Sequence, residues 1–304
     1  MSQNHLRPLS SGEILDSAFG VYRRHFVPLF VTTLLPVVPL ALASTLLIQG
    51  AASGLRSPDD VWAATLPSTL LGLLGFLVMW GALTRQVEQA WTGGEVSVMD
   101  GYRAGFRAFF RLLGAMIASY LVLLVIMFAI LLGFGLVSGI FIALAVGLGM
   151  TAGGEAAGGV MAVVLSVVVG IVVLLAMALA ASSLFAVLPA VVVERAGPVA
   201  AIRRSMALAR GARRQVAGIV VVAFLIVFLP AMGVSYFTGG FDGVLNPGHL
   251  PTSAQLVAQQ IGGSVVGALT TPFLVAALVL LYFDRRVRTE ALDVRMAADA
   301  LPPL

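Results

Sequence analysis

Six long runs of this chain contain no Asp, Glu, His, Arg or Lys: Phe26–Ile48, Val61–Leu83, Leu112–Met150, Val160–Val193, Val216–Phe237 and Val257–Phe283. About 20 residues rising 1.5 Å each cross the hydrocarbon layer of a bilayer. There is no water there, so a crossing segment must meet its backbone hydrogen bonds internally, as a helix does. The composition of the whole chain agrees, with 60% hydrophobic and 11% charged residues and a mean hydropathy of +1.03. A soluble domain is nearer a quarter charged. The expected fold is all-α, a polytopic membrane protein.

Charge placement sets the number of crossings. All 18 basic residues are arginines, and 17 of them fall in four of the seven segments outside the apolar runs. They stand at 7, 23 and 24, between 85 and 111, between 195 and 214, and between 285 and 296. The remaining connections hold one arginine, Arg56, against four acids, Asp59, Asp60, Glu155 and Asp242. Arginine accumulates on the cytoplasmic side of membrane proteins. The third run, 39 residues long, would make a straight helix of about 58 Å and could hold two spans. Splitting it would move the arginines of 195–214 outside, against that bias. Six spans with both termini cytoplasmic is the expectation. The surplus length is assigned to tilt, to kinks near Gly133, Gly135 and Gly139, or to an external hairpin around Thr151–Gly159. The basic pI near 10.1 then records topology, and no nucleic-acid partner is expected.

Spans one, three and five are each preceded by a similar segment. Leu15, Met99 and Ile202 match, as do Tyr22, Phe106 and Ala209, and then Arg23, Arg107 and Arg210. Apolar positions at i, i+3 or i+4 and i+7 predict an amphipathic helix along the inner leaflet, with arginine where it turns into the span. Ser10 with Glu13 predicts a capping box for the first elbow, and Pro198 suits the start of the third. The chain reads as a single membrane domain over 1–304, built as three elbow-plus-hairpin units, 1–83, 95–193 and 196–283, with a cytoplasmic helical tail over 284–304.

Candidate chemistry is sparse. The sequence has no Cys or Lys, and its three histidines, His5, His25 and His249, stand far apart. Neither a thiolate metal site nor a Schiff base can form, and no metal or cofactor is expected. The opening residues show no signal-peptide cleavage pattern, so the first run is expected to remain as an anchor. Spans without ionisable groups argue against an ion-coupled transporter or an intramembrane protease. Hydroxyls at Thr32, Ser119, Ser183 and Thr270 either bond neighbouring backbones or line a substrate path. Gly135-xxx-Gly139 and Gly263-xxx-Gly267 permit close helix approach, as glycines common in membrane helices do. Trp62, Trp80 and Trp91 stand as interfacial belt residues.

After the last span comes Tyr282-Phe-Asp-Arg-Arg-Val-Arg-Thr-Glu290. Asp284 with Arg288 and Arg286 with Glu290 form i,i+4 pairs, each worth a few tenths of a kcal/mol on an exposed helix. The tail YFDRRVRTEALDV, the opening RPLSSGEILDSAFGVYRRHFVPLF and the internal AAIRRSMALARGARRQ resemble the bacterial membrane domain associated with glycerophosphoryl diester phosphodiesterases. That resemblance covers most of the chain and implies a six-span domain in the bacterial plasma membrane. In that family the membrane domain can precede a soluble catalytic barrel. The barrel's catalytic histidines and metal-binding acids have no counterparts up to Leu304, so hydrolase activity is not expected to carry over.

The expected function is that of a non-enzymatic scaffold or accessory factor. Its arginine-rich inner face would engage anionic lipid headgroups, or a protein partner in the membrane or cytosol. Candidate phosphate-binding residues are Arg23, Arg107, Arg210, Arg203, Arg204, Arg285, Arg286 and Arg288, because guanidinium groups hold phosphate bidentately. The alternative is a permease or lipid transporter built from the proline-kinked spans.

Overall fold

A computed structural model of the chain describes residues 8–54, 58–147, 182–240 and 252–290, with a few positions between 168 and 180. Among the described residues there are eight helices and no strand: α1 Ser11–Arg24, α2 Phe26–Gly54, α3 Pro58–Thr92, α4 Val98–Gly147, α5 Val187–Val193, α6 Pro198–Ala209, α7 Arg213–Phe237 and α8 Ser253–Glu290. Four segments are long and apolar enough to cross a membrane: Phe26–Ala43, Val98–Gly133, Arg213–Phe237 and Ala254–Glu290. The expected second run lies within α3. Most of the fourth run, the hairpin around Thr151–Gly159 and the end of the tail lie outside the described residues.

Local sequence explains where the helices start and stop. Ser10 caps α1 as expected: its Oγ accepts the Glu13 N–H at 3.3 Å, and the Glu13 carboxylate accepts the Ser10 N–H at 2.7 Å. Pro198 opens α6 behind Gly197. The chain breaks between α1 and α2 at His25. Pro28 accounts for the break, since it has no N–H for the Arg24 carbonyl and its ring collides with that group. Between α6 and α7 the break falls at Arg210–Ala212, where Gly211 takes φ +75, a left-handed conformation that glycine adopts without penalty. The middle elbow differs. Leu112 stands where the first unit has Pro28, no glycine interrupts the turn, and the elbow and span form one 50-residue helix, α4. It continues unbroken through Gly133, Gly135 and Gly139 to Gly147.

Units one and three share a detailed register. Ser11 and Pro198 begin the elbows, while Phe26 and Arg213 begin the spans. Ile14 and Ala201, Ala18 and Ser205, Val21 and Leu208, and Leu29 and Val216 are buried at matching positions. In both units the inward stripe continues from the elbow into the first turn of the span.

Burial is concentrated at one end of the bundle. One cluster joins Ile14, Leu29, Leu83, Leu208, Ile219 and Tyr282, drawn from α1, α2, α3, α6, α7 and α8. A second joins Leu77, Leu112, Val187, Val191 and Ile202 across α3, α4, α5 and α6. Trp80 and Trp91 pack against the first cluster, so they serve the core as well as any interface. Farther along, Leu121, Leu124, Phe128 and Leu136 of α4 and Phe224, Leu225 and Leu229 of α7 are exposed. Apolar surface on this scale suits lipid as the solvent.

The tightest helix approach was not among the expected glycine pairs. Among the described residues a Cβ on Gly139, Gly263 or Gly267 would meet nothing within 4 Å, whereas one on Gly105 would collide with the Val78 carbonyl oxygen. Gly81 faces the Gly105 backbone, and Gly101 faces the Ala82 carbonyl. Gly101-xxx-Gly105 is therefore the pair that lets α4 touch α3. Gly105→Ala must push two backbones apart and is expected to cost about 1–3 kcal/mol. Thermal unfolding in detergent should show a clear loss for Gly105→Ala and none for Gly263→Ala; equal melting of the two would contradict this packing.

Candidate functional site

The start of the tail, Tyr282–Glu290, lies against the elbows instead of projecting from the bundle. The Asp284 side chain is 0% exposed. It accepts the Leu9 N–H at 2.7 Å and Arg288 Nε at 3.1 and 2.9 Å, while Arg288 Nη2 donates to the Leu9 carbonyl at 2.6 Å. The expected Asp284–Arg288 pair is present, but its expected surface worth does not apply. A carboxylate this deep is costly unless each of its hydrogen-bond partners is in place.

Arg285 turns toward α6. It is 7% exposed and donates Nε to the Leu208 carbonyl at 2.9 Å and Nη2 to the Arg210 carbonyl at 3.3 Å. These carbonyls close α6, where helical partners run out, so the buried cation caps that helix and complements its dipole.

Beside it lies a balanced cluster of two arginines and two glutamates. Arg204 grips Glu194 through Nε, 3.0 Å from each carboxylate oxygen, and through Nη2 at 2.9 Å. Its Nη1 pairs with Glu290. Arg286 Nε reaches Glu290 at 3.2 Å and Glu194 at 3.5 Å. The Tyr282 hydroxyl donates to Glu194 at 2.5 Å, and the Arg286 guanidinium lies 5.5 Å from the Tyr282 ring centroid. The Arg204 pKa is raised, chiefly by its hydrogen bond to Glu290, against the opposing effect of burial. Sequence reading found only the local Arg286–Glu290 pair. An acid standing alone among the arginines of 195–214, Glu194, was the available signal for the rest.

The arginine-bearing segments are thereby gathered at one end. Arg195 takes φ 54 after α5, a left-handed conformation costly for a residue with a Cβ. It presents its carbonyl to Arg111 Nη1 at 2.9 Å, which joins α4 to the turn before α6. Ser205 Oγ bridges that region to the end of the fourth run, donating to the Ser183 carbonyl at 2.8 Å and accepting the Ala186 N–H at 3.0 Å.

The eight sequence-predicted arginines thus divide into two groups. Arg204, Arg285, Arg286 and Arg288 are committed to internal partners. Arg23, Arg107, Arg203 and Arg210 are exposed, and among the described residues none of their guanidinium groups has a hydrogen bond or ion pair. No such contact joins Arg23, Arg107 and Arg210 to one another. His25 adds no further cation at neutral pH, because partial burial and then Arg24 lower its pKa.

The span hydroxyls are mostly bonded to backbone. Ser183 donates to Leu179 at 3.2 Å and Thr270 to Val266 at 2.8 Å. The Thr32 carbonyl accepts from Tyr102 at 2.7 Å, and its Oγ1 accepts from Gln86 at 2.8 Å. Ser119 Oγ is buried, with no hydrogen-bond partner among the described residues.

Removing one partner of a buried ion pair leaves an uncompensated charge, at a cost of about 3–5 kcal/mol. Asp284→Ala should therefore lower the unfolding temperature sharply, and Glu194→Ala, whose carboxylate is partly exposed, by less. Asp100→Ala, which breaks an exposed pair with Arg103 at 3.5 Å, should change stability by no more than about 1 kcal/mol. Comparable melting of all three variants would contradict the internal role of the tail.

No curated protein and no solved structure matches this chain. One family does, over residues 21–285, a stretch that takes in both elbow breaks and Tyr282 and ends at Arg285. The chain belongs to the family described as Domain of unknown function (DUF7847).

Proposed function

We propose that the chain is a non-enzymatic, six-span protein of the bacterial plasma membrane, with both termini cytoplasmic, that engages anionic lipid headgroups through its inner face. The carrying observation is the state of Arg23, Arg107 and Arg210: exposed, without an acidic partner among the described residues, and placed along or at the end of the elbow segments. Phe19 precedes Arg23 by one helical turn and Phe110 follows Arg107 by three residues, and both rings are exposed. Residues so spaced share a helix face, so apolar rings and guanidinium groups stand together as the boundary between acyl chains and phosphates requires.

The six-span reading draws support from the tail contacts. Leu9 and Asp284 are directly bonded, and two chain ends on the same side require an even number of crossings. The shared register of units one and three supports the repeat of elbow and hairpin. The resemblance to the phosphodiesterase-associated membrane domain points to the same architecture. The bonding of Thr32, Ser183 and Thr270 fits helix packing better than a transport path.

Near an anionic surface each arginine contributes roughly 1 kcal/mol. Single Arg23→Ala, Arg107→Ala and Arg210→Ala substitutions should each weaken phosphatidylglycerol retention about fivefold in native mass spectrometry. Retention unchanged in all three would remove the proposal.

A further inference from the structure

We infer that α2 is a hinged arm: the half beyond Pro36 pivots at that residue, and the Tyr102 hydroxyl is the latch that holds the pivot in one position. The inference goes beyond the lipid-engaging reading and does not depend on it. Pro36 and Pro39 both stand inside α2. Neither has an N–H, so the carbonyls of Thr32 and Leu35, four residues earlier, lose their helical donors, and each ring crowds the turn before it. Sharp kinks in long helices arise at such positions. Burial changes at the same place. Leu29, Thr32 and Thr33 are 0% exposed, and all three precede Pro36. Beyond it Val38 and Leu42 are exposed, and no described residue of α2 is buried. That half leans on α3 at two glycines: a Cβ on Gly75 would lie 3.1 Å from Pro36 Cβ, and one on Gly72 would meet the Leu40 side chain.

The latch comes from α4. The Tyr102 hydroxyl donates to the Thr32 carbonyl at 2.7 Å and so supplies the bond that Pro36 withholds. Gln86 Nε2 donates to Thr32 Oγ1 at 2.8 Å and to the Ser97 carbonyl at 3.3 Å. Thr32 is therefore tied to α3, to the turn before α4 and to α4 itself. Gly101, next to Tyr102, faces the Ala82 carbonyl, which brings the start of α4 close enough for the hydroxyl to cross to α2. This provision is specific. Among the described residues no side chain donates to the other carbonyls freed by prolines inside α2, α7 and α8, those of Leu35, Ile226 and Ala268.

A buried carbonyl without a donor is costly. The bond from Tyr102 and the observed kink therefore stand or fall together. Without the hydroxyl the Thr32 carbonyl must find another donor, and the unburied half of α2 follows the change in backbone angles at Pro36. Tyr102 belongs to the elbow part of α4, five residues before Arg107. A shift of that elbow along the membrane surface withdraws the hydroxyl and frees the arm.

The test reads the arm directly, in the full chain in nanodiscs. The chain has no cysteine, so Val27→Cys and Leu42→Cys, both at exposed positions, carry spin labels on either side of Pro36. They stand about 22 Å apart along the axis. Pulsed electron double resonance should give one narrow distance peak. Tyr102→Phe removes only the hydroxyl and should lose that single peak, with a new population at other distances. Tyr120→Phe removes an exposed hydroxyl of the same helix and should change nothing. In a Pro36→Ala background the restored N–H bonds the Thr32 carbonyl, and Tyr102→Phe should then have no effect. A single peak retained in Tyr102→Phe would overturn the latch, as would a broad distribution before any change at Tyr102. An equal change in Tyr120→Phe, or equal broadening with and without Pro36→Ala, would reduce Tyr102 to packing and also overturn it. Should Tyr102→Phe fail to fold, adding Pro36→Ala must restore folding, and failure there would contradict the latch too.

Discussion

A carboxylate withdrawn from solvent dictates what surrounds it, and Asp284 governs this fold in that way. Isolated in an apolar interior it would be too costly to remain ionised. It is accommodated because the Leu9 N–H and Arg288 reach it from opposite ends of the sequence. Its neighbours in the tail extend the same logic, with Arg285 closing α6 and Arg286 balancing Glu194 and Glu290. About two and a half turns of one helix, Tyr282–Glu290, thereby fix the segment at Leu9, the turn after α5 and the α6–α7 corner. Pairs like these stabilise little in net terms against apolar replacements, but breaking one is severe. Their contribution is to specify a single arrangement.

That arrangement divides the molecule along its length. One end is a polar, packed assembly of elbows and tail, with backbone, carboxylate and guanidinium groups largely satisfied internally. The other is a set of apolar helices whose exposed leucine, valine and phenylalanine side chains suit lipid. Exposed guanidinium groups without a partner among the described residues, Arg23, Arg107, Arg203 and Arg210 among them, belong to the packed end. The protein therefore separates arginines that build the fold from arginines left for a ligand, and the difference lies in whether an acid or a carbonyl is within reach.

Much of this was legible locally and little of it at long range. The capping box at Ser10, the start at Pro198 and the elbow-to-span order follow from residues within one turn of each other, and they were readable. The unbroken α4 was readable too, had the absence of a Pro28 equivalent at Leu112 been weighed. Glycine spacing alone did not single out the α3–α4 contact, because Gly135, Gly139, Gly263 and Gly267 have the same period as Gly101 and Gly105. Periodicity cannot say which face meets a neighbour. The arginine clusters showed the same weakness. Counting charges picked out segments that the fold gathers at one polar end, but the bonds from Arg285 to Leu208 and from Asp284 to Leu9 join residues far apart in sequence. No local pattern encodes such pairings.

The central claim is that all four arginine-bearing segments share one face of the membrane, and its most direct test is sidedness. The chain contains no cysteine, so single cysteines at the exposed positions Gly12, Thr92, Val199 and Thr289 would be the sole reactive thiols. A membrane-impermeant thiol reagent should label all four in inverted vesicles and none in right-side-out vesicles. Labelling of any one of them from the opposite side would contradict the common polar end on which the proposed function depends.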